Sequence, residues 1–304
     1  VKIIFAGTSK FGIPTLEKLK HEHELVLIIT QPDKPAGRNK TITPSPVKLW
    51  ATRHNVYVEQ PAHISDLLPV ISHLNPDLML VVAYGQIIPK VILNIPKFKS
   101  INIHGSLLPK YRGASPVQAA ILNQEEKTGI TLIQMDEKMD HGPIIAQSPL
   151  MLTGRETFEE LYKHLADLSA DMVPKVLSEW FAGKINPQVQ NEEKATYTKL
   201  LNRNDGKINW AQSAKTIDAQ IRALNPEPGT WTTLNGKIIK VLKAHIINDV
   251  KIELPGKIHL HQGLPAVKTL DASLLIEEIQ PEGKSPMSGK DFINGLKSGG
   301  KLFI

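Results

Sequence analysis

Residues 2–29 set a helix-like stretch between two short apolar runs. Lys2-Ile3-Ile4-Phe5-Ala6 closes at Gly7-Thr8-Ser9, then Ile13, Leu16 and Leu19 recur at three-residue spacing, and Leu25-Val26-Leu27-Ile28-Ile29 follows. Strand, turn, helix and strand in so short a span form the βαβ unit of a parallel sheet, since parallel neighbours need a crossover between them. The alternation continues with strands at 78–82, 101–103 and 130–133 and helices at 63–73 and 116–123. Strands that are apolar at every position are covered on both faces. Thr157-Phe158-Glu159-Glu160 reads as a capping box. It opens a long helix whose buried stripe is Phe158, Leu161, Leu165, Leu168 and Met172, and Pro174 predicts a kink or break in it.

Residues 184–202 are polar without a period and read as a linker. From 203 onward, turn signals alternate with short β-rich runs: Asn225-Pro226, Pro228-Gly229, Asn235-Gly236, Pro255-Gly256 and Gly283-Lys284. Strands near 231–234, 238–246, 257–261 and 273–279 predict a small antiparallel barrel. The chain thus divides into an α/β domain over 1–183, a linker over 184–202 and a barrel over 203–304.

There is no cysteine, so disulfides, Cys-ligated zinc, iron–sulfur clusters and a Cys nucleophile are excluded. The apolar run at the start is too short for a signal peptide, and no stretch approaches the roughly 20 apolar residues of a membrane span. A cytoplasmic protein is expected. The formal charge is +6, of which residues 203–304 carry +4, with fourteen Lys and Arg against ten Asp and Glu. A solvated Lys-rich surface explains that excess as readily as a module that touches phosphates.

Chemistry-bearing residues are densest in Asn102-Ile103-His104-Gly105-Ser106-Leu107-Leu108-Pro109-Lys110-Tyr111-Arg112-Gly113. Asn102 and His104 stand two apart at the C-terminal end of a strand, so their side chains share one face. In open parallel sheets, ligands sit outside the strand C-termini. An amide donor and an imidazole there can serve as an oxyanion site with an acid–base partner, although a strand end with two merely satisfied polar groups fits the same pattern. Downstream, Asp140-His141-Gly142-Pro143 follows a strand and a loop. A carboxylate at 140 can face His104, fix its tautomer and hold a water.

Asn-x-His-x-Ser-Leu-Leu-Pro with an Asp-x-Gly 38 residues after the Asn resembles the active-site signature of the folate-dependent formyltransferases. The resemblance implies catalytic roles for Asn102, His104 and Asp140 and a folate-lining role for Ser106, Leu107, Leu108 and Pro109. Asp140, not Asp136, stands in the Asp-x-Gly setting, while Lys138 and His141 occupy positions where the family more often has Gly and Thr. The segments 31–38 (Gln-Pro-Asp-Lys-Pro-Ala-Gly-Arg) and 43–48 (Thr-Pro-Ser-Pro-Val-Lys) resemble the insertion loop of the methionyl-tRNA branch of that family. Lys34, Arg38 and Lys40 are the implied tRNA contacts. Arg222-Ala223-Leu224-Asn225-Pro226-Glu227-Pro228-Gly229 is similar to the opening of that branch's C-terminal barrel. Phe5-Ala6-Gly7-Thr8 and the turn Ala83-Tyr84-Gly85-Gln86, beside the expected donor pocket, agree with it.

The fold so implied is a Rossmann-like parallel-sheet formyltransferase domain followed by an OB-like β-barrel that binds tRNA. The implied reaction moves the formyl group of 10-formyltetrahydrofolate to the amino group of methionyl initiator tRNA. A monomer is expected, with no membrane partner. No catalytic metal is expected either, because alternate histidines such as His21-x-His23 and His259-x-His261 are far more often plain surface than ligands. Gly7-Thr8-Ser9-Lys10-Phe11-Gly12 lacks the dinucleotide fingerprint. The nearest alternative keeps the chemistry and changes the acceptor to an amino-sugar nucleotide. A non-catalytic RNA-binding protein would have no use for Asn102, His104 and Asp140.

Overall fold

The computed structural model describes residues 1–36, 41–248, 254–295 and 303. The chain forms two compact units, one of residues 1–116, 127–151 and 160–198, the other of residues 117–126, 152–159 and 199–304.

The first unit opens with the expected βαβ turn: β1 (Lys2–Gly7), α1 (Ile13–Glu22) and β2 (Glu24–Ile29). A hairpin of β3 (Lys34–Ala36) and β4 (Thr41–Thr43) follows, then α2 (Pro46–Arg53) and β5 (Val58–Glu59). Ser45 caps α2 by accepting from Lys48 N at 3.0 Å, with Pro46 at the first helical position, where its missing N–H costs nothing. Next come α3 (Leu68–Leu74), β6 (Leu78–Val82), α4 (Lys90–Leu93), β7 (Ser100–His104) and β8 (Arg112–Gly113). α5 (Pro116–Leu122), β9 (Lys127–Gln134), β10 (Ile144–Met151), α6 (Phe158–Phe181) and β11 (Tyr197–Thr198) complete this stretch of chain.

The sheet order is β10-β9-β7-β6-β1-β2-β5. β5, β2, β1, β6 and β7 pair in parallel, whereas β7–β9 and β9–β10 are antiparallel. The sheet is thus parallel as expected except at one edge. Residues 135–143 are all that join β9 to β10, too few for the dozen or more that a parallel crossover takes. β10 also alternates between more and less exposed residues, as suits an antiparallel edge. One face of the sheet packs Ile4, Ala6, Leu27, Ile29, Met79 and Val81 against Ile64, Leu67, Ile71, Tyr84 and Ile92.

α6 runs unbroken through Pro174, contrary to a break there. A proline removes one hydrogen bond and crowds the carbonyl four residues back. Here Ala170, Val173 and Leu177 are buried on both sides of it, so packing holds the helix across the defect. α6 is fixed further by Tyr162, whose hydroxyl accepts from Phe11 N at 2.9 Å, and by a buried Thr15–Ser169 hydroxyl contact at 3.1 Å.

The segment read as a linker is hydrogen-bonded into this unit. Gln188 exchanges backbone hydrogen bonds with Ile144, and Tyr197 and Thr198 pair in parallel with Arg112 and Gly113. Its side chains serve polar partners rather than a core, which is why it shows no apolar period.

The second unit holds α7 (Ala214–Leu224), β12 (Trp231–Leu234), β13 (Lys237–Ile247), β14 (Ile258–His261), β15 (Leu264–Lys268), β16 (Ser273–Pro281), β17 (Met287–Ser288) and α8 (Gly289–Asn294). Its antiparallel half-barrel sheet has the order β12-β13-β16-β15-β14, with β17 on β16. Asn235 and Gly236, both at positive φ, make the two-residue turn between β12 and β13, the chemistry a twisted hairpin favours. Register shifts between Val241 and Ala244 mark irregularities that bend β13. Trp210, Ile217, Ile221, Val241, Val267, Leu274 and Ile276 fill the core, and Trp210 Nε1 donates to Thr232 Oγ1 at 3.0 Å. The sequence did not mark β15, β17, α7 or α8. α7 escaped notice although Ser213 caps it.

Candidate active site

β7 ends at the C-terminal edge of the parallel strands, beside β6. Its two-residue repeat turns Asn102 and His104 to the same side, and the loop 135–143 carries Asp140 back to meet them. Asn102 Nδ2 donates to Asp140 Oδ1 at 3.1 Å. His104 Nδ1 lies 3.6 Å from Asp140 Oδ2, with side-chain exposures of only 6% and 14%, so the pair interacts largely shielded from water. Gly113 N donates to Asp140 Oδ2 at 2.8 Å. The three residues expected to act together thus share one carboxylate.

The imidazole has one nitrogen already committed. His104 Nε2 is 2.8 Å from the carbonyl of Tyr111. A carbonyl can only accept, so Nε2 carries a proton and Nδ1 is the nitrogen left for proton exchange. Asn102 uses one of its two amide N–H groups on Asp140, and the amide has a second to offer.

The loop after β7 is held from below. Ser106 is fully buried and donates through Oγ to Lys110 O at 2.6 Å. Thr131 Oγ1 donates to Ser106 O at 2.6 Å and accepts from Leu108 N at 3.0 Å. Gln147 Nε2 reaches both Leu108 O and Thr131 Oγ1 at 2.9 Å. Leu108 is buried, while Leu107 and Pro109 are half-buried. At the end of β6, Thr8 Oγ1 donates to Tyr84 O at 2.9 Å, which ties the first strand–helix turn to the turn 83–86. Tyr84 is 2% exposed and its hydroxyl has no partner among the described residues, and burial pushes its pKa up to about 12. A surface depression lined by Ala62, His63, Gln86, Ile87 and Pro89 lies at this turn, not at Asn102, His104 and Asp140.

Several contributors were not singled out from the sequence. Arg112, Gln190 and Glu192 form a network under Asp140, and Tyr111 and Gly113 supply main-chain partners. Arg112 and Gly113 stood inside the quoted motif, whereas Gln190 carried no sequence signal. His141 Nδ1 is 2.6 Å from Asp136 Oδ2, and its Nε2 is 3.5 Å from Glu192 Oε1. Asp136 therefore serves His141, not His104. Arg112 beside Glu192 holds that carboxyl below its ordinary range.

Of the expected tRNA contacts, Lys34 is exposed on β3, and Arg38 and Lys40 lie outside the described residues. The neighbouring segment is ordered by Asp33, which pairs with Lys48 Nζ at 2.6 Å and accepts from Gln60 Nε2 at 2.7 Å. Among the described residues no group of three His, Asp or Glu side chains could hold a metal, and no helix is long and apolar enough to cross a membrane.

A formyl transferase family model matches residues 1–177, and the formyl transferase C-terminal domain matches residues 200–297. This chain belongs to the formyl transferase family. Among its relatives in that family, the methionyl-tRNA formyltransferase of Fusobacterium nucleatum is 40% identical over 99% of this chain and 100% of its own length. That of Bacillus cytotoxicus is 39% identical over 98% and 96%. Among solved structures, an N-formyltransferase from Helicobacter canadensis, in complex with folinic acid and dTDP-3-aminofucose, superposes with a TM-score of 0.70 at 20% identity. It covers 92% of this chain and 99% of that one. HypX from Aquifex aeolicus, seen with tetrahydrofolic acid, gives 0.66 at 17% identity over 99% of this chain and 50% of its own.

Proposed function

We propose that this formyl transferase moves the formyl group of 10-formyltetrahydrofolate to the amino group of methionyl initiator tRNA, and that Asn102, His104 and Asp140 perform the transfer. The observation that carries the chemistry is the shared carboxylate, Asp140, bonded to Asn102 at 3.1 Å and 3.6 Å from His104 Nδ1. The acceptor is carried by full-length relatives near 40% identity named for methionyl-tRNA, against about 20% for the sugar-acting neighbours.

In this reading the acceptor amine adds to the formyl carbon, and the carbonyl oxygen gains negative charge. The second N–H of Asn102 and a proton on His104 Nδ1 donate to it, each such donor contributing about 2.7–4 kcal/mol to the transition state. Asp140 orients the His104 ring and takes up the amine's proton through a water. Collapse breaks the donor's carbon–nitrogen bond, and the proton passes to the departing folate nitrogen. No covalent bond to the protein forms. Ser106, Leu107, Leu108 and Pro109 line the donor's place. One further feature fits a polar co-substrate near the turn 83–86: the buried Tyr84 hydroxyl and Gln31 Nε2 are both without partners among the described residues.

Division of labour follows the order of the chain, with formyl transfer over residues 1–183, tRNA contact over 203–304, and residues 184–198 between them packed in the first unit. Lys34, Arg38 and Lys40 meet the acceptor end of the tRNA. On the barrel, Arg203 and Lys207 each lie 5.8 Å from the Trp231 ring, a cation–aromatic group of the kind that meets nucleic acid. The deciding assay offers formyl donor with either charged initiator tRNA or an amino-sugar nucleotide. Transfer to the tRNA alone is expected, and transfer to the sugar alone would overturn the acceptor assignment.

A further inference from the structure

Arg112 is only 1% exposed, and a charge so placed persists only where it is paired and hydrogen-bonded. Glu192 meets it with two bonds, at 3.0 Å to Nη1 and 2.6 Å to Nη2, and the Tyr197 hydroxyl accepts from Nη1 at 3.1 Å. The remaining donors go to one atom: Gln190 Oε1 accepts from Nε at 3.1 Å and from Nη2 at 2.8 Å. This fixes the direction of the Gln190 amide, since an oxygen must face the cation and the nitrogen must face away. That nitrogen donates to the carbonyls of Asp140 and Gly142, each at 2.8 Å.

The backbone it grips is not in a comfortable conformation. Asp140 has φ +50, in the left-handed region that non-glycine residues occupy at a cost. From there its carboxylate reaches Asn102, Gly113 N and His104. The tripeptide 111–113 therefore serves His104, Gln190 and Asp140 together. Tyr111 O holds His104, the Arg112 side chain orients Gln190, and Gly113 N holds the carboxylate.

We infer that Arg112 and Gln190 are positioning residues for the transfer step: a buried cation orients one amide, and that amide fixes the backbone from which Asp140 acts. The inference rests on Asp140 acting in the transfer, as proposed above. It explains why a guanidinium, with its rigid fork, lies beneath a site it does not touch.

Gln190→Glu tests it, because the variant keeps an oxygen for Arg112 and replaces two N–H donors with lone pairs facing two carbonyls. Its kcat should fall on the order of 10²-fold, with KM for both substrates nearly unchanged, as expected when a catalytic group is displaced by an ångström. Arg112→Lys keeps a cation opposite Glu192 but offers no fork to the amide, and should show the same split. In an Asp140→Asn background either substitution should cost less than about twofold, because residues acting through one group are not additive. Wild-type kcat in Gln190→Glu, or losses that multiply fully in the double variants, would overturn the inference while leaving Asp140's own role intact. Normal turnover by Asp140→Asn alone would remove the reading beneath it.

Discussion

Asn102 and His104 point the same way because β7 repeats every two residues, and the carboxylate that unites them arrives from a loop 38 positions later. Removing Asn102 as Asn102→Ala should lower kcat by about 10²–10³-fold, the usual loss for one donor to a developing oxyanion. His104→Ala and Asp140→Ala should lose about 10²–10⁴-fold, while circular dichroism and melting show a retained fold. Near-normal rates in two of the three would end the assignment. Gly113 is constrained in a different way. Its φ is +110 and an added Cβ would stand 2.4 Å from Thr198 O, so Gly113→Ala must move β8 off β11 and take an N–H from Asp140 with it. A lower melting temperature and a slower transfer should appear together. At this scale the strand pair was legible from spacing, and Asp140 from its Asp-x-Gly setting. Gln190 was not, because a single glutamine in an aperiodic stretch has no pattern to betray which carbonyls it meets.

Periodicity served the elements of the α/β unit well, since continuous apolar runs have few other uses than a covered sheet. It could not tell parallel from antiparallel at β9, because both bury the same residues. That distinction lay in the length of a connection whose far strand, β10, is half exposed. Pro174 misled for a related reason: the rule describes a local defect, and the buried stripe on either side of it decides the outcome. Pro174→Ala should restore a hydrogen bond and relieve a crowding worth up to about 3 kcal/mol, less about 1 kcal/mol for the freer unfolded chain. A higher melting temperature is expected, and a lower one would show that the proline is part of the packing. In the barrel unit, Asp271 accepts from Ala214 N at the start of α7 at 2.8 Å, and this bond holds its pKa below the ordinary 3.8. A depressed carboxyl lends stability above its unfolded pKa and loses it as pH falls through the folded one. Asp271→Ala should therefore melt below the parent at neutral pH, and the gap should begin to narrow near pH 3.8 and close further into acid, as pH falls through the lowered pKa. A gap that persists there would mean the contact acts through packing and not charge.

For the whole molecule, charge distribution connects composition to the proposed acceptor. Residues 203–304 carry +4 of the +6, and phosphate contacts made by such a surface release counterions. Affinity for tRNA should fall at least about tenfold between 50 and 200 mM salt, and Arg38→Ala should weaken tRNA use while sparing folate binding. Affinity that stays flat with salt would remove the basic module from the account. The two-unit plan was legible from the switch between helix-separated apolar runs and turn-separated β runs. The exact place of 184–202 was not, because polar side chains that serve a buried network look like those that serve water.

The most direct measurement is a single-turnover formylation of charged methionyl initiator tRNA with enzyme in excess and saturating formyl donor, comparing the parent with Asp140→Asn. The account predicts complete transfer by the parent and, in the variant, a rate lower by about 10²-fold or more with unaltered tRNA binding. Equal rates for the two would contradict it.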